Sequence, residues 1–216
     1  MPVRLIVFAK APVAGKVKTR LAPALGLTGA ARLAHAMLAN TLAAAQAAAD
    51  TLGGLTRIEL CASPDPGHID WSDVVLPPAC LQTAQIEGDL GARMAHAFDQ
   101  AMAQGDDVLL FGSDGPELDA QRLITAARSL SQHDAVLQPV TDGGYLLLGL
   151  RAHTRLQMGV LFEAMPWSTD QVAAITLRRL QDLTLSVEVL PPIHDIDEPA
   201  DLVHLPRSWQ SPSFII

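Results

Sequence analysis

Short apolar runs recur along the chain between segments of helical periodicity, and this alternation restricts the fold more than any other feature. Residues 3–9 (VRLIVFA), 107–112 (DVLLFG) and 135–140 (AVLQPV) are bounded by loops and read as buried strands. Residues 55–62 (LTRIELCA) predict a second strand, and a third is expected around 81–86 after a Pro-interrupted stretch. Residues 145–150 (YLLLGL) could pair with a neighbour or form a sheet edge, and 183–190 (LTLSVEVL) alternate as a last strand.

Between them the helical signals are equally regular. Thr28 is a plausible N-cap for an alanine-rich helix to about residue 49, with Leu33, Met37, Leu38, Leu42 and Ala45 on one face. Asp89 can cap a helix to about 104 that carries Leu90, Met94, Ala97, Phe98 and Ala101, and Asp119 can cap another through 130. Ser168 and Gln171 have capping-box spacing for a helix to about 183, and Asp197 can cap a last short one. Strands alternating with helices imply one α/β domain over residues 1–216, a mostly parallel sheet covered on both faces, with ligands at the carboxyl ends of the strands.

A formal net charge of −8 and a pI near 5.2 argue against wholesale binding of nucleic acid or anionic membrane. The apolar run at 5–9 ends at Lys10, too short for a signal-peptide core, and no run suits a membrane span. Cys61 and Cys80 lie in apolar runs without metal-ligand spacing, so both are expected as buried thiols, in keeping with a cytoplasmic location.

Against that acidic background, Lys10, Lys16 and Lys18 are the only lysines, and all fall in "FAKAPVAGKVKTRLAP" (8–23) together with Arg20. The stretch follows a strand and precedes a helix, as a phosphate-binding loop does. It departs from that motif twice: Lys10 stands at the first glycine position, and Val17 stands where the metal-binding hydroxyl belongs. What remains is a loop with Gly15 for close backbone approach and four cations able to neutralise phosphates. An ordinary basic loop paired with surface acids is the plainer reading.

Carboxylates follow three separate strands. Asp114 in "FGSDGPEL" could hold a hard divalent ion or simply form a turn. Asp142 lies in a "TDGG" turn with Gly143 and Gly144, ahead of Tyr145, the only tyrosine; a plain Asp-Gly turn explains much of it. Asp195 and Asp197 follow the last strand in "HDIDEPADL", with His194 beside them as a supporting residue at most. "EGDLGARM" offers Gly88, Asp89 and Arg93, and "MPWSTDQ" offers Trp167.

With these residues in view, the chain resembles a bacterial family of GT-A superfamily glycosyltransferases, of the type associated with radical-SAM proteins. The resemblance rests on "FAKAPVAGKVKTRLAP", "GDLGARM", "GSDGPEL", "DGGYLLLGL", "PWST" and "HDIDEPADL", in order along nearly the whole chain. The wider superfamily includes nucleotide-sugar transferases and nucleotidyltransferases such as phospholactate and molybdenum-cofactor guanylyltransferases. It implies a single-domain GT-A, Rossmann-like α/β/α sandwich. It also implies a transferase using a nucleotide or nucleotide sugar and a small-molecule acceptor, with Mg²⁺ or Mn²⁺ as cofactor. Asp114, Asp195 and Asp197 would serve the metal, and Ala9, Lys10, Gly15, Lys16, Lys18, Arg20, Gly88, Asp89 and Arg93 the nucleotide. Asp142, Gly143, Gly144, Tyr145 and Trp167 would serve the acceptor, with Lys18, Arg20 and Asp114 catalytic.

Two departures bear on the chemistry. Gly115 stands where the family usually has cysteine, and Gly112 stands where a sugar-transfer D-x-D pair would need a second acid before Asp114. The second departure weakens sugar transfer by the usual metal arrangement, and the cationic loop favours a triphosphate, whereas the family resemblance favours sugar transfer. On that resemblance glycosyl transfer is expected first, with nucleotidyl transfer releasing pyrophosphate as the alternative and a non-catalytic nucleotide-binding protein as a lesser one.

Overall fold

In the computed structural model, which describes residues 2–209, seven strands form one sheet in the order β3-β2-β1-β4-β6-β5-β7. The strands are β1 (Val3–Lys10), β2 (Thr56–Ser63), β3 (Leu81–Ala84), β4 (Asp107–Phe111), β5 (Ala135–Pro139), β6 (Tyr145–Leu150) and β7 (Val187–Val189). All pairings are parallel except those of β6, which runs antiparallel to both β4 and β5. Residues 145–150 thus occupy an interior position, buried on both faces, which is why they read as a continuous apolar run.

Among the described residues five α-helices cover the sheet: α1 (Ala22–Leu52), α2 (Leu90–Met102), α3 (Ala120–Ser129), α4 (Met158–Phe162) and α5 (Val172–Asp182). Side chains alternate along each strand, so Leu5, Val7, Leu109 and Phe111 pack with α1 and α3, while Ile6, Val108 and Leu110 pack with α2, α4 and α5. The result is an α/β/α sandwich with a Rossmann-like sheet, as the alternation of elements predicts.

Asp89 and Asp119 cap their helices as expected, accepting hydrogen bonds from Ala92 N–H and Arg122 N–H at 2.8 and 2.9 Å. Other boundaries differ. Thr28 lies inside a helical run that begins at Ala22 with Pro23 in its first turn, and the break falls at Gly26, whose φ of +69° only glycine adopts readily. Ser168 takes a left-handed conformation and α5 starts at Val172 without a side-chain cap, so the Ser168/Gln171 spacing forms no capping box. Glu198, not Asp197, is the N-cap of the 3-10 turn at Pro199–His204, and Asp201 accepts from the N–H groups of Asp197 and Glu198. The third strand stops at Ala84 and the last spans only Val187–Val189. Cys61 is buried, but Cys80 precedes the edge strand β3 and is only half-buried.

A third apolar cluster positions the site. Leu21, Leu33 and Met37 from α1 and its approach enclose Ile196 and Leu205, tying the carboxyl-terminal segment to the opening loop. Among the described residues, no helix is long and apolar enough to cross a membrane.

Candidate active site at the carboxyl edge of the sheet

The segments after β1, β4, β5 and β7 and the start of antiparallel β6 meet at one edge, and two adjoining cavities open there. The smaller, about 390 Å³, is lined by Phe8, Ala9 and Lys10 at the end of β1 and by Lys16, Lys18 and Arg20 of the segment that follows, with Gln85, Ser113, Asp114 and Asp197. The larger, about 520 Å³, takes its polar wall from Asp114, Asp142, Asp170, Asp195 and Asp197 and its aromatic wall from Phe8, Tyr145 and Trp167. Phe8, Arg20, Asp114 and Asp197 line both.

Lys18 stands at this boundary. Its Nζ lies 3.0 Å from Asp114 Oδ1 and 2.5 Å from Asp197 Oδ1, and its side chain is only 7% exposed. Burial alone would lower the pKa of this ammonium, yet the two carboxylates outweigh that effect and hold it above the usual lysine value. The other cations of the loop are looser: Lys16 pairs with Asp70 at 3.1 Å, and Arg20, with most of its side chain in solvent, faces Glu198 at 3.6 Å.

The Asp195-Ile196-Asp197 segment is positioned by its middle residue. Ile196 is fully buried in the third apolar cluster, and its N–H donates to Asp114 C=O at 2.9 Å, locking the segment beside the end of β4. Both flanking aspartates then line the larger cavity. Loss of hydration, followed by the nearby charges of Asp142 and Asp197, pushes the Asp195 carboxyl up to about 6.

Asp142 sits in a turn in which its Oδ1 accepts from Gly144 N–H at 2.9 Å. Gly143 is obligatory there: φ is +93°, and a Cβ would lie 2.1 Å from Asp170 O. Its C=O accepts from Ala173 N–H at 2.9 Å, so this turn supports the segment that carries Ser168, Thr169 and Asp170 into the cavity. The Tyr145 ring lines the cavity, and burial pushes its phenol pKa up. Trp167 stacks on Phe162 at 6.4 Å between ring centroids and contributes to the wall.

Not every expected residue meets a cavity. Gly88, Asp89 and Arg93 line neither: Asp89 caps α2, and Arg93 Nε donates to Gly88 C=O at 2.9 Å. Leu90 and Met94 of the same segment line the larger cavity instead. Gly15 lines neither cavity, and Gly143 supports the wall at Asp170 without lining it. His194 turns away to Glu117, 2.9 Å from Nδ1, and stacks on His204. Residues that sequence patterning overlooks include Phe8, Gln85, Thr169 and Asp170. Gln85 joins the ends of β1 and β2 by donating to Ala9 C=O and Cys61 C=O, and the other polar pair is disguised by the apparent capping box.

A family model described as an uncharacterized protein conserved in bacteria, DUF2064, matches residues 41–169. The chain belongs to this family. A crystallised relative from Desulfovibrio desulfuricans G20, a provisionally assigned nucleotide-diphospho-sugar transferase, is 30% identical. That likeness covers 99% of this chain and 90% of that one, with a TM-score of 0.84. More distant structures share the DUF2064 chain's fold. CMP:2-keto-3-deoxy-manno-octonic acid synthetase complexed with CTP is 10% identical over 94% of this chain and 96% of that one, with a TM-score of 0.55. A Mycobacterium tuberculosis H37Rv protein in complex with manganese is 13% identical over 93% and 96%, with a TM-score of 0.56. No curated protein matches this member of the family.

Proposed function

We propose that the protein is a metal-assisted transferase that takes the phosphates of a nucleotide donor in the basic cavity and a small-molecule acceptor in the acidic one. The observation that carries this reading is the meeting of two oppositely charged cavities at Lys18, Asp114 and Asp197. A phosphate chain placed among Lys10, Lys16, Lys18 and Arg20 would be neutralised by point charges and by the Arg20 fork. An acceptor hydroxyl in the larger cavity would face Asp142 and Asp195, carboxylates able to take its proton.

The residues present fit a hard divalent cation. Asp114 and Asp197 already converge on one positive charge, the Lys18 ammonium, and both offer oxygen ligands to solvent. Asp114 and Asp197 would hold such an ion, with Asp195 nearby, and when bound it would stabilise negative charge growing on phosphate oxygens. Among the described residues, Asp195 does not join the other two in a ready three-ligand group.

Sugar transfer from a nucleotide sugar is the leading reaction, supported by the 30% identical relative. Here the bond from the sugar to the diphosphate breaks and the acceptor oxygen takes the sugar. Nucleotidyl transfer is the second reading, favoured by the four cations around one small cavity, which suit a triphosphate. In that case the acceptor attacks the α-phosphorus and pyrophosphate leaves. A metal-supplemented thermal-shift panel of nucleoside triphosphates and nucleotide sugars, with products followed by mass spectrometry, separates them. Nucleoside diphosphate with a glycosylated product supports the first and pyrophosphate the second. Absence of a shift with every nucleotide would sink both.

A further inference from the structure

Of the cations lining the basic cavity, Lys18 alone is enclosed among carboxylates. Its side chain is 7% exposed, whereas Asp114 and Asp197 are 46% and 45% exposed. The ammonium therefore fills the space between two carboxylates whose remaining oxygens stay accessible from both cavities. Its backbone is left-handed, φ 45° and ψ 39°, a conformation that a non-glycine residue keeps only when its surroundings fix it.

Ammonium and divalent ions are both compact cations, and both seek the same carboxylate oxygens. Asp114 Oδ1 and Asp197 Oδ1 are already within hydrogen-bond reach of Nζ, so a metal on this pair would meet a like charge as its immediate neighbour. Lys18 is released at least cost where another anion can receive it. The basic cavity, which Lys18 itself lines beside Lys10, Lys16 and Arg20, is where such an anion would bind.

We propose that Lys18 is a resident counter-cation that keeps divalent metal off Asp114 and Asp197 until phosphate in the basic cavity offers its ammonium another partner. The inference rests on the placement of phosphates proposed above, and adds that metal and phosphate binding are positively coupled through this one side chain. By linkage each raises the affinity for the other by the same factor.

Electron paramagnetic resonance of Mn²⁺ titrated into the full chain tests the exchange without reference to turnover. Free wild type should bind Mn²⁺ weakly, and Lys18→Met should bind it about tenfold more tightly. Lys18→Arg, which keeps the charge, should remain weak, and adding Asp114→Asn to Lys18→Met should remove the gain. Inorganic phosphate should raise the Mn²⁺ affinity of wild type but not that of Lys18→Met; their difference cancels complexation in solution. Equal affinities of wild type and Lys18→Met, or an equal phosphate effect in both, would overturn the proposal. Should Lys18→Met not fold, wild type alone decides: no gain in Mn²⁺ affinity with phosphate overturns it. Failure of the exchange is distinct from failure of the functional reading. Nucleotides that bind and turn over in a protein whose Mn²⁺ affinity ignores Lys18 defeat only the former. An Asp114-dependent gain in Lys18→Met, in a protein that no nucleotide shifts, defeats only the latter.

Discussion

Two cation–carboxylate networks join β1 to the region around β4, and they are built on opposite lines. Toward the amino end of β1, Arg4 donates to Asp106 at 2.9 and 2.6 Å, to Glu59 at 3.0 Å and to Gln104 at 2.8 Å. Arg57 also donates to Asp106, and the Arg4, Glu59 and Asp106 side chains are at most 5% exposed. The planar guanidinium fork meets several acceptors at once and leaves no route for exchange. Beyond the carboxyl end, Lys18 offers a point charge to two carboxylates that remain nearly half exposed. The first network is a fixed part of the core, while the second is accessible from both cavities.

The strongest way to break this comparison is to remove each cation in turn. Arg4→Met leaves Asp106 to Arg57 and Glu59 to the Thr83 hydroxyl alone, two buried carboxylates short of their shared cation, and should cost about 3 kcal/mol of folding stability in urea denaturation. Lys18→Met should cost clearly less, because water can reach the two carboxylates it leaves behind. Similar losses for the two variants would show that both networks are structural.

Asp89 tests where the site ends. Asp89→Ala should lose about 1 kcal/mol through the cap of α2, and Asp89→Ser should recover most of it. Nucleotide affinity, read by calorimetry, should be unchanged in Asp89→Ser; a loss there would return Asp89 to the nucleotide site.

A smaller effect should come with pH. The Asp195 carboxyl, raised to about 6 from 3.8, favours the folded state relatively more when protonated. That contribution is fully present below the ordinary value and is lost as pH rises through about 6. Asp195→Asn should therefore be more stable than wild type at about pH 8 and equal to it at about pH 3, as followed by thermal melts. A variant that gains nothing at the higher pH would contradict the crowding of carboxylates around Asp195.

Much of this site was legible because strand ends are local features. Each of Asp114, Asp142 and Asp195 follows an apolar run within a few residues, and the cations cluster in one loop. The sheet class follows in the same way from alternating elements. The pairing of Lys18 with Asp197, 179 residues away, was not legible, since it depends on Ile196 burying itself against α1. Composition suggested that the cations faced outward to a ligand, whereas Lys18 first serves the chain's own carboxylates. Local spacing also misled where two residues competed for one job: Glu198 took the cap offered to Asp197, and the Ser168/Gln171 spacing concealed a cavity wall. The interior place of β6 depended on pairing with β4 and β5, which an apolar run alone does not specify.

A crystal structure with Mn²⁺ and the nucleotide that gives the largest thermal shift tests the central claim most directly. The account predicts an anomalous signal in contact with Asp114 and Asp197, and phosphates against Lys10, Lys18 and Arg20 in the basic cavity. A nucleotide bound outside that cavity, or a metal touching neither aspartate, would contradict it.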